Sequence, residues 1–329
     1  MEGKESRLYQ ESDSFYTFDD KERGIYRNLS KEQLRREMFA EVRLETLGEF
    51  LSPSHPLRPL LPKKKLQDYR HKSCVAVSNS GKLMGSKLGT FIDSHDVVLR
   101  FNHAPTRGFE RDVGSKTTYR IVNNKLLNAY NSYFWQSTSN LKTFWDQLPF
   151  REILITYEDC NRIHDFHKNR DSEDISLMTR EIYRMFDDNF YWLPYKNSLG
   201  KYIELLKAYP MEEMFYVIPD TQWALWDFLQ RFTPTRINSK SPVSGFLATF
   251  ILLYLCEEVS LVHFVPTAPS GRTSSCHYFE WKNPVCMYNE GHSSISLTLL
   301  LLNISETQET TAFETGILKL TGFSQLRSA

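Results

Sequence analysis

The sequence predicts an α/β fold, a mostly parallel sheet with helices on both faces, on three observations. Short β-branched apolar runs recur along the chain, helical stretches separate them, and the 329 residues are enough for one large α/β domain or two small ones. Hydrophobic residues make up 41% and aromatics 14% of the chain, which excludes disorder throughout.

Residues 1–70 are polar and broken by turns. Within them, 31–47 (KEQLRREMFAEVRLETL) has good helix propensity, and Ser30 stands where a cap is needed. A Pro-rich basic linker follows over 52–65, and its three successive lysines read as a solvated run. Residues 74–78 (CVAVS) form the first buried strand, Asn79-Ser80-Gly81 a turn, and 82–88 a helix ending near Gly89. Further strands are expected at 97–101, 117–122, 153–156, 215–218 (ended by Pro219) and 259–265. Helices are expected at 222–232, where Trp223 and Trp226 read as core, and at 246–257. Residues 164–209 are charged and aromatic and match no element pattern.

Composition excludes several classes of function. Lys+Arg and Asp+Glu both number 40, so no overall basic field recruits nucleic acid or an anionic membrane. A membrane span needs about 20 apolar residues, whereas the best run (FLATFILLYLC, 246–256) reads as a buried core helix. The first residues (MEGKESRLYQESDSF) contain no apolar signal-peptide core. The five cysteines, Cys74, Cys160, Cys256, Cys276 and Cys286, include no C-x-x-C pair, which disfavours a zinc ribbon or thioredoxin motif. Two N-x-[ST] triplets start at Asn28 and Asn303 and carry meaning only in a secretory chain.

The first strand–turn–helix is the place to look for a nucleotide, because ligands in doubly wound sheets bind at the carboxyl ends of strands. Its glycines, Gly81, Gly85 and Gly89, match neither the dinucleotide fingerprint nor the P-loop, which weakens a NAD or ATP enzyme. The next stretch is denser in chemistry. Ile92-Asp93-Ser94-His95-Asp96, Val98-Leu99-Arg100-Phe101-Asn102 and Asp112-Val113-Gly114-Ser115-Lys116-Thr117-Thr118 follow one another in order. Residues 74–123 thereby resemble the long sialylmotif of the sialyltransferases, glycosyltransferases that use CMP-sialic acid. Residues 242–259 (PVSGF through CEEV) resemble the short sialylmotif, His277-Tyr278-Phe279-Glu280 resembles motif III, and His292 stands where the last motif places its histidine. Residues 215–230 resemble the β-galactoside α-2,6 branch.

The resemblance implies a single catalytic domain over 71–329, a Rossmann-like variant of the GT-A fold, preceded by a stem-like region and linker over 1–70. It implies transfer of sialic acid to a terminal galactose of glycoprotein glycans, α-2,6 in linkage and inverting, without a metal or other cofactor. The absence of any D-x-D triplet agrees with the last point. A sugar hydroxyl is a weak nucleophile, so a positioned base helps; the resemblance gives that role to His292 and contact with the donor phosphate to His277. Donor binding falls to Ser78, Asn79, Ser80, Gly81, Asn102, Asn123, Ser244 and Gly245, and acceptor binding to Glu280 and Asp188. Cys74–Cys256 and Cys276–Cys286 would be disulfides; the first would close a loop of about 180 residues, about 5 kcal/mol by chain entropy. The expected place is the Golgi lumen, with any membrane contact through an anchor that is not in this chain.

Three positions depart from the family pattern. Leu297 replaces the acid expected five residues after His292, Gly291 replaces an aromatic, and Val243 replaces a Ser. They support an alternative reading, a catalytically impaired relative that binds CMP-sialic acid or a glycan without turnover.

Overall fold

Fully apolar strands need cover on both faces, and the computed structural model shows how this chain provides it. It describes residues 29–129, 144–148, 150–157, 198–233, 244–267, 276–280 and 294–327. Among these, seven strands form one sheet: β1 (His71–Val77), β2 (Val97–Phe101), β3 (Tyr119–Val122), β4 (Ile153–Tyr157), β5 (Met214–Val217), β6 (Cys256–Val262) and β7 (Ile317–Thr321). Their order is β5-β4-β3-β2-β1-β6-β7. β1 to β6 pair in parallel and β7 runs antiparallel to β6. The chain winds outward from β1 to β5, then returns to the other flank of β1 as β6. That reversal makes the β1/β6 boundary the switch point of the sheet, and folds of this kind bind ligands at the carboxyl ends of the strands beside it.

The helices among the described residues are α1 (Lys31–Glu41), α2 (Leu47–Phe50), α3 (Gly89–Asp93), α4 (Glu110–Val113), α5 (Asn124–Ala129), α6 (Ser198–Ala208), α7 (Pro219–Arg231), α8 (Ser244–Leu255), α9 (Ser294–Ile304) and α10 (Glu309–Thr315). Alternation along β1 divides the core: Cys74 and Ala76 face one cluster with residues of α1, α7, α8 and α9, and Val75 and Val77 face another with Leu83, Ile92 and Tyr278. α8 is apolar all round because it is buried all round. No helix among the described residues is long and apolar enough to cross a membrane. Trp226 is buried and Trp223 packs against the same core.

The structure alters four expectations. Residues 82–88 do not form a helix: a short 3-10 turn, Gly81–Leu83, is followed by irregular backbone. The Asp112 carboxylate accepts the N–H groups of Gly85 (2.8 Å) and Lys87 (2.9 Å), which a helix would have used internally. Gly89 starts α3 rather than ending a helix, and a Cβ there would lie 2.0 Å from the Glu110 carbonyl. The helix expected over 31–47 stops at Glu41, because the chain beyond it is drawn out to β5: Thr46 bridges to Val217, and Ile218 N–H donates to the Glu45 carbonyl. Its cap is as expected, with Ser30 Oγ accepting from Gln33 N–H at 3.1 Å.

Part of the expected stem-like region and linker, residues 29–70, packs into the cores of the sheet domain. Leu34, Met38, Val42, Leu44 and Leu66 are buried in the main core, and Leu57 and Leu61 in a second one. Arg35, also buried, donates to the Gly322 carbonyl at 2.6 Å. Finally, β7 is an element that the sequence reading did not contain. Only Leu318 and Leu320 are buried in it, too few positions for a strand pattern to stand out.

The disulfide Cys74–Cys256 ties β1 to the start of β6, with Cα atoms 6.1 Å apart and 182 residues between them in sequence. Cys276 is also disulfide-bonded; Cys286, its expected partner, lies outside the described residues, as does Cys160.

Candidate functional site at the sheet switch point

Strand polarity places most of the expected donor-binding residues on one edge of the sheet. Ser78 to Gly81 leave the carboxyl end of β1, Asn102 that of β2 and Asn123 that of β3, and Ser244 and Gly245 begin α8, which runs back down from the same edge. Residues 276–280, about 195 residues after the β1 turn, complete the group. Ser80 and His277 form an antiparallel bridge. Gly81 N–H donates to the Cys276 carbonyl (3.2 Å) and Tyr278 N–H to the Asn79 carbonyl (3.0 Å). The buried Tyr278 hydroxyl donates to the Pro105 carbonyl at 2.5 Å, which brings in the loop after β2. Burial pushes this phenol up to about 12, with Arg100 and Arg120 pulling the other way.

Four N–H groups of the β1 turn are already committed within the protein. Ser78 N–H is used by the Val262 carbonyl, Ser80 N–H by Ser78 Oγ, Gly81 N–H by Cys276 and Lys82 N–H by Ser80 Oγ. Side-chain capacity is also present: Asn79 Oδ1 is buried without a partner among the described residues.

Asn102 and Asn123 act as a pair. Asn102 adopts φ +49°, a left-handed conformation that asparagine tolerates. Its Oδ1 accepts Asn123 N–H at 2.9 Å, and Asn123 Oδ1 accepts Leu126 N–H at 3.0 Å, capping α5. The carbonyls of Asn102 and Ala104 accept from Arg120 Nη1 at 2.7 and 3.3 Å, and Arg120 Nη2 donates to Glu152 at 2.9 Å. The turn after β2 is therefore clamped. The two carboxamide NH2 groups have no hydrogen-bond partner among the described residues and are available to an anionic ligand.

Ser244 shares a 2.5 Å hydrogen bond with the hydroxyl of Tyr157, which stands at the end of β4 and was not singled out from sequence. Gly245 leaves room for Phe264, whose ring would lie 3.1 Å from a Cβ. His277 Nδ1 lies 2.8 Å from Glu280 Oε2, so the residue expected to bind acceptor holds the imidazole expected at the donor phosphate. His263, at the end of β6, was also missed. It has φ +56°, neither ring nitrogen has a partner among the described residues, and burial pushes its pKa down to about 4, with Lys82 adding to the shift.

The rest of the long motif lies elsewhere. Asp93, before β2, accepts from Ser115 N–H (2.8 Å), Ser115 Oγ (2.8 Å) and Lys116 N–H (2.9 Å). Burial pushes its carboxyl up, but the hydrogen bonds from Lys116 and Ser115 outweigh this and hold it below the usual carboxylate range. A Cβ on Gly114 would strike Asp93 Oδ1 at 2.4 Å. His95 bonds Ser260 Oγ (3.0 Å) and Asp96 accepts Ser73 N–H (3.0 Å). These residues build the loops beneath the sheet.

His292, Asp188, Gly291 and Val243 lie outside the described residues. Leu297 lies on α9, buried in the main core. Among the described residues no group of three or more His, Cys, Asp or Glu is arranged to hold a metal.

Comparison with known proteins follows this geometry. The family model for glycosyltransferase family 29 (sialyltransferase) matches residues 20–297. The curated β-galactoside α-2,6-sialyltransferase 2 of Rattus norvegicus is 30% identical over 304 residues, covering 90% of this chain and 51% of its own. That of Takifugu rubripes is 31% identical over 308 residues, with 90% and 51% covered. That of Homo sapiens is 29% identical over 304 residues, again with 90% and 51% covered. The chain thus spans about half the length of the curated relatives it matches. Among solved structures, a mammalian sialyltransferase in complex with Gal-beta-1-3GalNAc-ortho-nitrophenol is 21% identical over 83% of this chain and 82% of its own, with a TM-score of 0.45.

Proposed function

The chain belongs to glycosyltransferase family 29, the sialyltransferases, and from that premise we propose that it transfers sialic acid from CMP-sialic acid to a terminal galactose of glycoprotein glycans in the Golgi lumen. The names of its relatives favour the α-2,6 linkage. The observation that carries the reading is the gathering of Asn79, Asn102, Asn123 and the segment 276–280 along the carboxyl edge of the sheet, with Ser244 at the end of β4 on the same edge.

In this reading the free carboxamide groups of Asn102 and Asn123 donate to the donor nucleotide. His277, held by Glu280, faces the phosphate as negative charge develops on the departing CMP. His292 takes the proton from the attacking galactose hydroxyl. Attack opposite the leaving CMP inverts the anomeric centre. The leaving group carries a single phosphate, and protein donors suffice for it without a metal. Asp188 and Glu280 are the candidates for acceptor contact.

The test is CMP release from CMP-sialic acid with and without N-acetyllactosamine. Release stimulated by acceptor and abolished in His292→Ala is the expected result. Tight CMP binding with no transfer to any galactosyl or N-acetylgalactosaminyl acceptor favours the binding-only relative, the reading to which Leu297 lends support. Absence of both binding and release overturns the proposal.

A further inference from the structure

The donor edge carries a second imidazole to which the family resemblance assigns no role. His103 directly follows Asn102 in the turn clamped by Arg120. Its ring meets Phe279 edge-on at 5.1 Å, and Phe279 in turn stacks on His277 at 5.3 Å with planes 7° apart. Three rings therefore stand in a row from the loop after β2 to segment 276–280, with the Glu280 carboxylate beside them on His277 Nδ1. The hydrogen bond from the Tyr278 hydroxyl to the Pro105 carbonyl holds the two segments together.

We infer that His103 is a positioning residue of the donor site, sharing the Glu280 carboxylate with His277 and so setting the net charge that meets the donor's phosphodiester. The inference rests on the donor reading given above.

The charged groups around His103 are Glu280 and His277 from segment 276–280 and Arg120 from β3. Arg120 is balanced by Glu152. Burial holds the His103 imidazole below the usual histidine range, Glu280 opposes this, and His277 and Arg120 reinforce it. A proton on His103 adds one positive charge to the cluster, and an anionic diester is then held more tightly. By reciprocity, a bound diester makes His103 easier to protonate.

Two measurements decide the matter. The first is calorimetry with the methyl ester of CMP, a phosphodiester that keeps one negative charge, at pH 7.5 and 5.5. Wild type binds more tightly at the lower pH, and His103→Phe, which keeps the ring contact with Phe279, cuts that affinity ratio about threefold. His103→Gln serves in its place if the Phe variant does not fold. An unchanged ratio overturns the inference. The second follows the His103 imidazole by NMR in wild type and in Glu280→Gln. Its titration midpoint moves to lower pH in the variant, and a midpoint that stays put overturns the shared carboxylate. The second measurement needs no ligand. A wild type that binds no CMP ester therefore counts against the proposed function, while the titration still decides the role of His103.

Discussion

Along the lower edge of the sheet, Asp93 accepts three hydrogens from Ser115 and Lys116, and Asp96 is paired with Ser73. Along the upper edge, and among the described residues, Asn79 keeps a buried oxygen without a partner, the NH2 groups of Asn102 and Asn123 have no acceptor, and both ring nitrogens of His263 are unpaired. Most of these residues come from one contiguous motif and are equally conspicuous in the sequence. What separates them is saturation. Polar groups that satisfy one another hold loops in place, whereas polar groups left with spare capacity at a strand's carboxyl end are prepared for a ligand.

The strongest challenge to this contrast is at Leu297. The family pattern expects an acid there, and the structure puts leucine in the apolar core. Leu297→Glu buries an unpaired carboxylate and should destabilise the protein by about 3 kcal/mol or more at neutral pH, without raising transfer. Urea unfolding together with the transfer assay checks both halves. A stable variant with a raised rate would show that the position belongs to the site.

His263 gives a pH-dependent prediction of similar size. Its folded pKa lies at about 4, against 6.5 for the free side chain. Between these values the unfolded chain takes up the proton and the folded one does not, so stability is full above pH 6.5 and falls as the pH drops toward 4. The loss approaches ~3 kcal/mol. His263→Phe should remove most of this slope, and urea midpoints at pH 7 and 4.5 in both proteins measure it.

Asp93→Ala tests the saturated edge directly. It leaves Ser115 and Lys116 N–H groups without an acceptor and should cost about 2 kcal/mol of stability. CMP affinity of the folded protein should stay within about twofold, since Asp93 lies at the far edge. A large loss of affinity with little loss of stability would reverse the assignment of the two edges. Asn79→Ala is the converse and has the smallest structural effect. Removing an unpaired buried oxygen should change stability by no more than ~0.5 kcal/mol, while CMP binding weakens about tenfold.

Much of the fold was legible locally. β2 coincides with the expected run over 97–101, β4 extends one residue further than expected and β5 is shifted by one residue, because each is a short, mostly apolar run between turn signals. The cap at Ser30 was equally plain. The segment after β1 was misread as helix because nothing nearby announces that Asp112 will take its backbone N–H groups. The burial of residues 29–70 was not legible, because their buried leucines are spaced among prolines and charges. Tyr157 and His263 lie in no motif, and His103, inside the long one, has no assigned role; all three were invisible until their neighbours were known.

The sequence by itself determined the class of the fold, the succession of its first six strands, the family, and a set of candidate residues for the site. Those follow from short-range patterns, in which burial of one face or both dictates the period of apolar residues. Tertiary structure alone decided which of the motif's polar residues are saturated and which remain open. Asn79 meets Tyr278 and Gly81 meets Cys276 across nearly 200 residues of chain, and Asp93 meets Ser115 across a shorter return. A hydrogen bond depends on where its partner lies in space, and no local pattern carries that position.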